Sequence, residues 1–326
     1  MSDITSHISE PFSVAGVRMA NRLVQAPMAG ITGRAFRLQA RRFGAGLLCT
    51  EMVSSYGVTF GNRRTAGMMT LTLAEHPAAV QLFGNKPDVM AEAAVVAATA
   101  GAGIIDVNMG CPVRKVVKTG AGVALMEDEE LAARIVAAIA GAVAVPVTAK
   151  IRSGLHGRVT APSLGRRLEE AGAAALAIHP RLAEQGRRGE VDHAVTNLLV
   201  KQLEIPVIAS GGVQDPAGAA AVLAGGASAV MVGQAALGNP WLFADLLAET
   251  EPHRRPLAEV LAEMGRFYAD LAAEQGNARA GRSMRKFYGW YLKPFKPGTA
   301  LAEALRRSGS FEEAAVMIWE KYQQNF

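Results

Sequence analysis

Short, continuous apolar runs alternate with longer stretches of helical character along the first 250 of the 326 residues. Runs that are apolar throughout are typical of parallel strands buried on both faces. The stretches between them are rich in alanine, and several begin with acidic residues, which favours helices. The predicted strands are residues 22–27, 47–52, 79–83, 104–108, 147–151, 175–179, 206–210 and 229–233.

Eight strands that each precede a helix match the count of a TIM (β/α)8 barrel. The alternative is a doubly wound open sheet, which normally binds a nucleotide through a glycine fingerprint after its first strand. The turn after the first predicted strand, from Pro27 to Gly30, lacks that glycine spacing. The pattern therefore predicts an α/β protein of the TIM-barrel class.

The alternating pattern ends at a polar, proline-containing stretch at residues 251–253. Beyond it no strand pattern recurs, and residues 257–274 and 311–322 have apolar side chains at helical spacing. We therefore expect two domains, a barrel over residues 1–250 and a C-terminal helical domain over residues 251–326.

Composition and charge exclude several classes of protein. Half of the residues are hydrophobic, 19% are charged, and the formal net charge is +5, which is compatible with a polyanionic partner without identifying one. Two distant cysteines, Cys49 and Cys111, exclude a disulfide framework and favour a cytoplasmic location. We expect Cys49 in the core. The N-terminus has no signal-peptide pattern, no apolar run fits a membrane span, and no metal-ligand spacing occurs.

Candidate ligand-binding side chains recur at the ends of the predicted strands, where TIM-barrel enzymes place their active groups. These positions hold Met28, Gln81, Asn108, Cys111, Lys150, Arg152, His179 and Arg181. A buried lysine is costly to desolvate, so Lys150 predicts a bound anion or electron-rich ring, or else an ion pair with a carboxylate. Gln81 and His179 are interpreted as donors toward a ring, with a satisfied core histidine as the alternative for His179.

Glycine turns follow the last two predicted strands. They are Ser210, Gly211 and Gly212 after the seventh strand, and Gly233 and Gln234 after the eighth. In this fold the backbone N–H groups of these two turns commonly bind a phosphate. We expect a phosphate site here; the alternative is that the glycines only make tight turns.

Cys111 follows the fourth predicted strand in the sequence Asn108-Met109-Gly110-Cys111-Pro112. Gly110 permits a sharp turn and Pro112 ends the strand, which leaves the thiol in a loop over the barrel mouth. An ionisable thiol there could take part in catalysis, although a lone cysteine in a loop is usually inert.

The segment at residues 279–296 is basic and aromatic and contains no acidic residue. Its basic residues include Arg282, Arg285 and Lys286, and its aromatic residues are Phe287, Tyr288, Trp290, Tyr291 and Phe295. Because cations neutralise phosphates and aromatic rings stack on bases, the segment predicts RNA binding. The alternative is an amphipathic helix whose rings point inward.

Several motifs resemble those of the tRNA-dihydrouridine synthases, most closely the bacterial B branch, over nearly the whole chain. They are APMAGIT at residues 26–32, EMVSS at 51–55, VQLFG at 80–84, IDVNMGCPVRKV at 105–116, AKIRSG at 149–154, GNPWLF at 238–243 and MRKFYGWYLKPF at 284–295. The resemblance implies FMN at the barrel mouth, reduced by NADPH. Met28, Gln81, Lys150 and His179 match flavin-contacting positions.

The resemblance also implies a reaction. Hydride would pass from flavin N5 to C6 of a uracil in the tRNA D-loop, and Cys111 matches the general acid that protonates C5. The uridine would be flipped out and held near Asn108, Arg152 and Arg181, while Arg282, Arg285 and Lys286 grip the tRNA body. No obligate protein partner is indicated.

This chain departs from the family pattern at the phosphate turns. Ser210-Gly211-Gly212 stands where Asn-Gly-Asp or Asn-Gly-Asn is frequent, and Gln234 stands where an arginine usually holds the flavin phosphate. Loss of a charge-assisted contact predicts a weaker phosphate clamp. Two other functions stay open: an FMN barrel that reduces a small molecule, and a non-catalytic RNA-binding regulator on a degenerate barrel.

Overall fold

The computed structural model describes residues 7–186 and 188–323. Residues 1–6, on which the signal-peptide expectation partly rests, lie outside these ranges. The strands are β1 (Phe12–Val14), β2 (Val17–Met19), β3 (Leu23–Gln25), β4 (Leu48–Cys49), β5 (Val53–Ser54), β6 (Ala78–Phe83), β7 (Ile104–Asn108), β8 (Val147–Leu155), β9 (Arg158–Val159), β10 (Ala175–Leu182), β11 (Val207–Ser210) and β12 (Ala229–Val232).

Eight parallel strands form a closed barrel. Their order is β3, β12, β11, β10, β8, β7, β6 and β4. A parallel bridge between Val24 and Leu47 joins the two ends of this order, and the Gln25 N–H donates to the Leu47 carbonyl at 2.8 Å. Each of the eight strands overlaps one of the eight predicted runs. The TIM-barrel prediction is confirmed.

Two barrel strands run further than the sequence predicts. β8 continues to Leu155, where the antiparallel β9 pairs with it, and β10 continues to Leu182 with an irregular register after His179. An arginine interrupts the apolar run in each extension, Arg152 in β8 and Arg181 in β10, so a continuous apolar pattern could not reveal them. Arg152 and Arg181 consequently lie within strands; Arg152 pairs with His179 in the register, whereas Arg181 falls in the irregular stretch between His179 and Leu182.

Helices surround the barrel and follow it to the end of the described chain. Side-chain caps mark several starts; for example, the Asp128 carboxylate accepts the Leu131 N–H ahead of α6, and Asp215 does the same for Gly218 ahead of α9. The helices are α1 (Arg34–Arg42), α2 (Ser55–Thr59), α3 (Arg63–Gly67), α4 (Pro87–Thr99), α5 (Arg114–Val117), α6 (Glu129–Ala142), α7 (Ala161–Glu170), α8 (His193–Gln202), α9 (Pro216–Ala224), α10 (Trp241–Leu247), α11 (Leu257–Gln275), α12 (Asn277–Tyr291), α13 (Gly298–Arg307) and α14 (Phe311–Gln323).

The barrel interior changes character from bottom to top. At the bottom, the β1–β2 hairpin contributes Phe12 and Met19 to an apolar cluster that includes Ile104, Ala175 and the thiol of Cys49. The prediction that Cys49 lies in the core is confirmed, since its side chain is buried. The apolar plug closes the lower end and leaves the carboxyl ends of the strands as the open mouth.

Helices α11 to α14 pack on the barrel chiefly through α1. The buried amide of Gln39 donates to the Glu263 carboxylate at 2.6 Å and to the Tyr291 hydroxyl at 2.7 Å. Arg42 forms ion pairs with Asp270 at 2.6 Å and with Glu263 at 3.2 Å. The C-terminal helices are thus present as predicted, while a domain boundary at residue 251 stays a prediction. No helix in the described ranges is long and apolar enough to cross a membrane.

Candidate active site

A cavity of about 480 Å³ opens at the carboxyl ends of the barrel strands. Its volume lies within the range of small-molecule and cofactor sites. Arg282, Arg285 and Lys286 do not line it. The predicted site residues that do are Met28, Gln81, Asn108, Cys111, Lys150, Arg152, His179, Arg181, Ser210, Gly211, Gly212, Gly233 and Gln234.

Strand alternation places the polar side chains inside. Along β7, Ile105 and Val107 pack outward against the helices, whereas Asp106 and Asn108 have the opposite parity and face inward. The same period of two puts Gln81 of β6 beside Asp106 in the strand register. Each inward face is therefore apolar at the bottom and polar toward the mouth.

A buried chain of hydrogen bonds runs from the barrel interior to the Cys111 loop. The Asp106 carboxylate accepts from Thr148 Oγ1 at 2.7 Å and from Gln81 Nε2 at 2.6 Å. Asn108 Nδ2 donates to Gln81 Oε1 at 2.8 Å, and Asn108 Oδ1 accepts from the Cys111 N–H at 3.0 Å. Because Gln81 Nε2 and Thr148 Oγ1 both donate to the Asp106 carboxyl group, Asp106 fixes which end of each amide faces its neighbour.

Asp106 is not among the site residues predicted from the sequence. Its signal was available, because Asp106 shares the parity of Asn108 in β7 and so had to face the barrel interior with it. Burial raises the pKa of the Asp106 carboxyl, while the hydrogen bonds from Gln81 and Thr148 and the charge of Lys150 favour its ionised form.

Arg152 holds the Cys111 loop from the other side. Its Nε donates to the Gly110 carbonyl at 2.9 Å, and its two terminal nitrogens donate to the carbonyls of Leu182 at 3.1 Å and Gly186 at 2.9 Å. The residue is buried. These contacts position the backbone around Cys111; the substrate contact expected of Arg152 stays a prediction.

The Cys111 loop also requires a glycine beneath it. The Cys111 carbonyl accepts from the Val123 N–H at 3.1 Å. Gly122 has φ +66°, and a Cβ at this position would lie 2.6 Å from that carbonyl oxygen. A side chain at Gly122 would therefore displace the loop. The partly exposed Cys111 is thus held by its own N–H, its own carbonyl and the carbonyl of Gly110.

The ammonium group of Lys150 lines the cavity and has no partner among the described residues. Its Nζ makes no hydrogen bond or ion pair with any residue in the ranges 7–186 and 188–323. Burial lowers the pKa of Lys150 to about 8, and the Asp106 carboxylate opposes that shift. The alternative of a structural ion pair is therefore not found among the described residues. An ammonium group in this setting favours an anionic or electron-rich ligand.

His179 is a neutral hydrogen-bond donor. Its Nε2 lies 3.0 Å from a terminal nitrogen of Arg181, which can only donate, so Nε2 accepts and the ring proton is on Nδ1. Burial lowers the pKa of His179 to about 2, and the nearby cations of Lys150, Arg152 and Arg181 add to the shift. Arg181 is itself held by the Gly189 carbonyl, at 3.1 Å from Nε and 2.9 Å from Nη2.

The two glycine turns also line the cavity, and a Cβ on Gly211 would lie 2.9 Å from Cδ2 of His179. Gly211 and Gly212 have φ values of +102° and +82°, which a residue with a side chain rarely adopts. Gln234 begins a 3₁₀ turn, Gln234–Ala236. The N–H groups of Gly212 and Gln234 have no acceptor among the described residues, so they remain available to an anion. Phosphate binding here stays a prediction.

Three aromatic side chains of α12 pack inside the protein. Phe287, Tyr288 and Tyr291 are buried, and the Phe287 ring packs edge-on against Phe267 of α11 with centroids 4.7 Å apart. For these three rings the structure agrees with the alternative of an amphipathic helix whose rings point inward, since their helical spacing places them on the face that packs against α11.

The basic residues of α12 divide into two groups. Arg285 Nε donates to the Ser308 carbonyl at 2.9 Å. Lys286 Nζ donates to the Gly30 carbonyl in the loop after β3, and Glu51 accepts the N–H of the same Gly30. Arg282 is exposed and has no hydrogen bond or ion pair with a described residue. Of the three, only Arg282 keeps all its donors for an external partner.

The family comparison agrees with this geometry. The model of the dihydrouridine synthase (Dus) family matches residues 24–326. A tRNA-dihydrouridine synthase B from Xanthomonas axonopodis pv. citri is 41% identical over 289 residues, which cover 87% of this chain and 86% of that protein. Another, from Escherichia coli, is 36% identical over 95% of this chain and 98% of its own length.

Solved structures give the same fold at lower sequence similarity. Morphinone reductase superposes with a TM-score of 0.59 at 15% identity, covering 80% of this chain and 94% of its own. At this identity the likeness concerns the barrel fold alone. The family match and the two relatives carry the assignment: the chain belongs to the dihydrouridine synthase family, and the prediction of an oxidoreductase is confirmed.

Proposed function

We propose that this protein is an FMN-dependent tRNA-dihydrouridine synthase that uses NADPH to reduce the C5–C6 bond of uridine in the tRNA D-loop. The observation that carries the proposal is the barrel mouth. There Lys150 Nζ and the Nδ1–H of His179 have no described partner, and both line one cavity with the Cys111 loop. Family membership supports the same reaction.

The side chains in the mouth fit a flavin mononucleotide. Lys150 and His179 suit the electron-rich pyrimidine edge of the ring, and Met28 and Met231 provide apolar wall. The N–H groups of Gly212 and Gln234 suit the phosphate, with Gln234 supplying a neutral contact in place of a charged one. Bound there and reduced by NADPH, FMN would supply the hydride that adds to C6.

Cys111 supplies the proton in this proposal. Addition of hydride to C6 leaves negative charge at C5, and a thiol on the opposite face of the uracil ring donates a proton there. The hydrogen bonds of Asn108 to the Cys111 N–H and of Arg152 to the Gly110 carbonyl keep the loop in place during this step. General acid catalysis requires such positioning.

The RNA approaches from outside the barrel. The uridine must leave its base stack to reach the cavity. Arg181 lines the mouth, where it is proposed to contact the uridine. Arg282, Arg285 and Lys286 are proposed to contact the tRNA body; the free guanidinium of Arg282 is best placed for this. NADPH would use the same mouth before the RNA, and the reaction is proposed to occur in the cytoplasm.

The decisive experiment compares dihydrouridine, position by position, in tRNA from cells with and without this gene. Loss of dihydrouridine at one or more D-loop positions, restored by the wild-type gene, is the expected result. An unchanged profile would contradict the proposal. The purified protein should be yellow and should bind tRNA at low salt. A yellow protein that does not bind tRNA would indicate a reductase of a small molecule. A colourless protein that binds RNA would indicate a non-catalytic RNA-binding regulator.

A further inference from the structure

Two segments beside the mouth are basic and have not been given a role. Residues 52–74, which carry α2 and α3, and residues 107–126, which carry the Cys111 loop and α5, contain no acidic residue. Long acid-free stretches are uncommon on protein surfaces, where charges of both signs are normally interspersed. The two segments together hold five cations, and Lys86 at the start of α4 lies beside them.

None of these cations is bound by a carboxylate or a carbonyl of the described residues. All are exposed, and none forms a hydrogen bond or ion pair with another residue in the described part of the chain. In this they differ from Arg285 and Lys286 of α12, whose donors are engaged by backbone carbonyls. The cations are Arg63, Arg64, Lys86, Arg114, Lys115 and Lys118.

An exposed aromatic pair lies within the same surface. The side chain of Phe60 is 81% exposed, and its ring stacks on Tyr56 with centroids 6.2 Å apart and planes 12° from parallel. Lys86 Nζ lies 5.9 Å from the centroid of the Tyr56 ring. A flat ring face in water, beside unpaired cations, matches the way proteins bind unstacked bases and the phosphates that join them.

This surface is continuous with the mouth. β5, which precedes α2, pairs with Leu82 and Phe83 at the carboxyl end of β6. Asn85, two residues after Phe83, packs against the loop after α5, since a Cβ on Gly120 would lie 2.9 Å from its Nδ2. The same loop continues into Gly122, which touches Cys111. A series of contacts therefore connects the stacked pair of Tyr56 and Phe60 with the loop that carries Cys111.

We infer that this surface, which we name the aromatic–basic rim, binds unpaired nucleotides that flank the uridine entering the barrel. The inference rests on the proposed function and extends it to a second contact region, on the barrel and separate from α12. A duplex offers no free base face, so the stacked pair favours a loop. The rim comprises Tyr56, Phe60, Arg63, Arg64, Lys86, Arg114, Lys115 and Lys118.

The first test removes charge from the rim of the full flavin-loaded chain. The triple variant Arg63→Ala, Arg64→Ala, Lys86→Ala is titrated with an unmodified tRNA transcript over a range of salt concentrations. Affinity should fall by at least about tenfold, and the slope of log affinity against log salt should decrease by about 2, as for three lost phosphate contacts. A slope equal to that of the wild type would overturn the inference.

A matched control removes the same charge elsewhere. Arg134, Arg166 and Lys201 lie on α6, α7 and α8, are exposed, and make no hydrogen bond or ion pair with a described residue. Their triple alanine variant should bind tRNA within about twofold of the wild type, because loss of three remote charges changes only the long-range field. Equal weakening in both triples would show a general charge effect and overturn the inference.

The second test concerns the stacked ring. Phe60→Ala should weaken binding of a single-stranded oligonucleotide by about 5- to 100-fold, because a base loses its stacking partner. The same variant should bind a duplex of equal length almost as the wild type does. Phe60→Trp should bind the single strand as the wild type does. Thermal unfolding of each variant verifies that it is folded. Unchanged RNA binding in Phe60→Ala would contradict the inference and point to a protein partner for this surface. If wild-type protein forms no dihydrouridine yet shows these binding differences, only the proposed function fails.

Discussion

The barrel mouth and helix α12 have similar residues and different structures. Each combines long basic side chains with apolar or aromatic neighbours, and the sequence predicts a ligand for both. In α12, Arg285 and Lys286 donate to backbone carbonyls, and three rings are buried. At the mouth, Lys150 has no described partner and the imidazole of His179 keeps one free N–H.

This difference distinguishes a packing role from a binding role. A donor that is withdrawn from water without an acceptor costs free energy, and a ligand that accepts its hydrogen bond recovers that cost. The mouth keeps donors that line the cavity without a described acceptor, whereas Arg285 and Lys286 of α12 already donate to backbone carbonyls. Substitutions in the two regions should therefore have opposite signatures, and five single substitutions test the contrast.

Cys111→Ala should have the largest effect. Loss of a general acid lowers rates by about 100- to 10,000-fold. The loss should appear in single-turnover formation of dihydrouridine from pre-reduced enzyme, whereas flavin content and NADPH oxidation are retained. Full RNA-reducing activity in Cys111→Ala would remove this thiol from the reaction.

Lys150→Met should lower FMN affinity by about 10- to 100-fold, the value of a hydrogen bond from a charged donor. The same substitution should raise the melting temperature of the flavin-free protein, because it removes an ammonium with no described partner. Calorimetric titration and thermal unfolding measure the two effects. A drop in stability on substitution would indicate that Lys150 has a structural role after all.

The pH dependence of Lys150 follows from its lowered pKa. The folded-state pKa of about 8 lies below the ordinary 10.5, so burial of the cation costs stability below pH 8 and that cost disappears between pH 8 and 10.5. Flavin-free protein should therefore gain stability over this window, while FMN affinity falls as the ammonium loses its proton. Lys150→Met should show neither change.

Asp106→Asn tests the hydrogen-bond chain. The new amide can donate toward Gln81, which would reverse the amides of Gln81 and Asn108 and withdraw the acceptor from the Cys111 N–H. A misplaced acid loop should lower kcat for RNA by about 10- to 100-fold while leaving KM for NADPH unchanged. Thr148→Val removes only one hydrogen bond to Asp106 and serves as the milder comparison. Equal kcat values for Asp106→Asn and the wild type would exclude a positioning role.

The smallest effects are expected in α12. Arg285→Ala should lower the free energy of unfolding by about 1–2 kcal/mol, because the Ser308 carbonyl loses its donor. Arg282→Ala should leave stability unchanged and reduce the salt slope of tRNA binding by less than about 1. Denaturant unfolding and salt titrations separate the two. Replacement of Arg282, Arg285 and Lys286 together should weaken tRNA binding and flatten its salt dependence.

The sequence predicts the barrel well for a physical reason. Strands buried on both faces must be apolar throughout, so each of the eight gives a local signal. Lys150 and His179 were found by their place at strand ends, which the fold brings together. The partners of Arg285 and Lys286 could not be found in this way, since Ser308 and Gly30 lie 23 and 256 residues distant. Strand alternation indicates that Asp106 faces inward, but its partners Gln81 and Thr148 lie 25 and 42 residues away on neighbouring strands.

The hydrogen bond from Lys286 to the Gly30 carbonyl makes Gly30 a mechanical link between α12 and the barrel. Glu51 holds the N–H of Gly30, and Met28, two residues earlier, forms part of the cavity wall. A force applied to α12 by a bound macromolecule would thus be transmitted to that wall through a single loop. Cutting the chain after the last barrel strand would remove one of the two hydrogen bonds described for Gly30, so the helices complete the frame of the mouth.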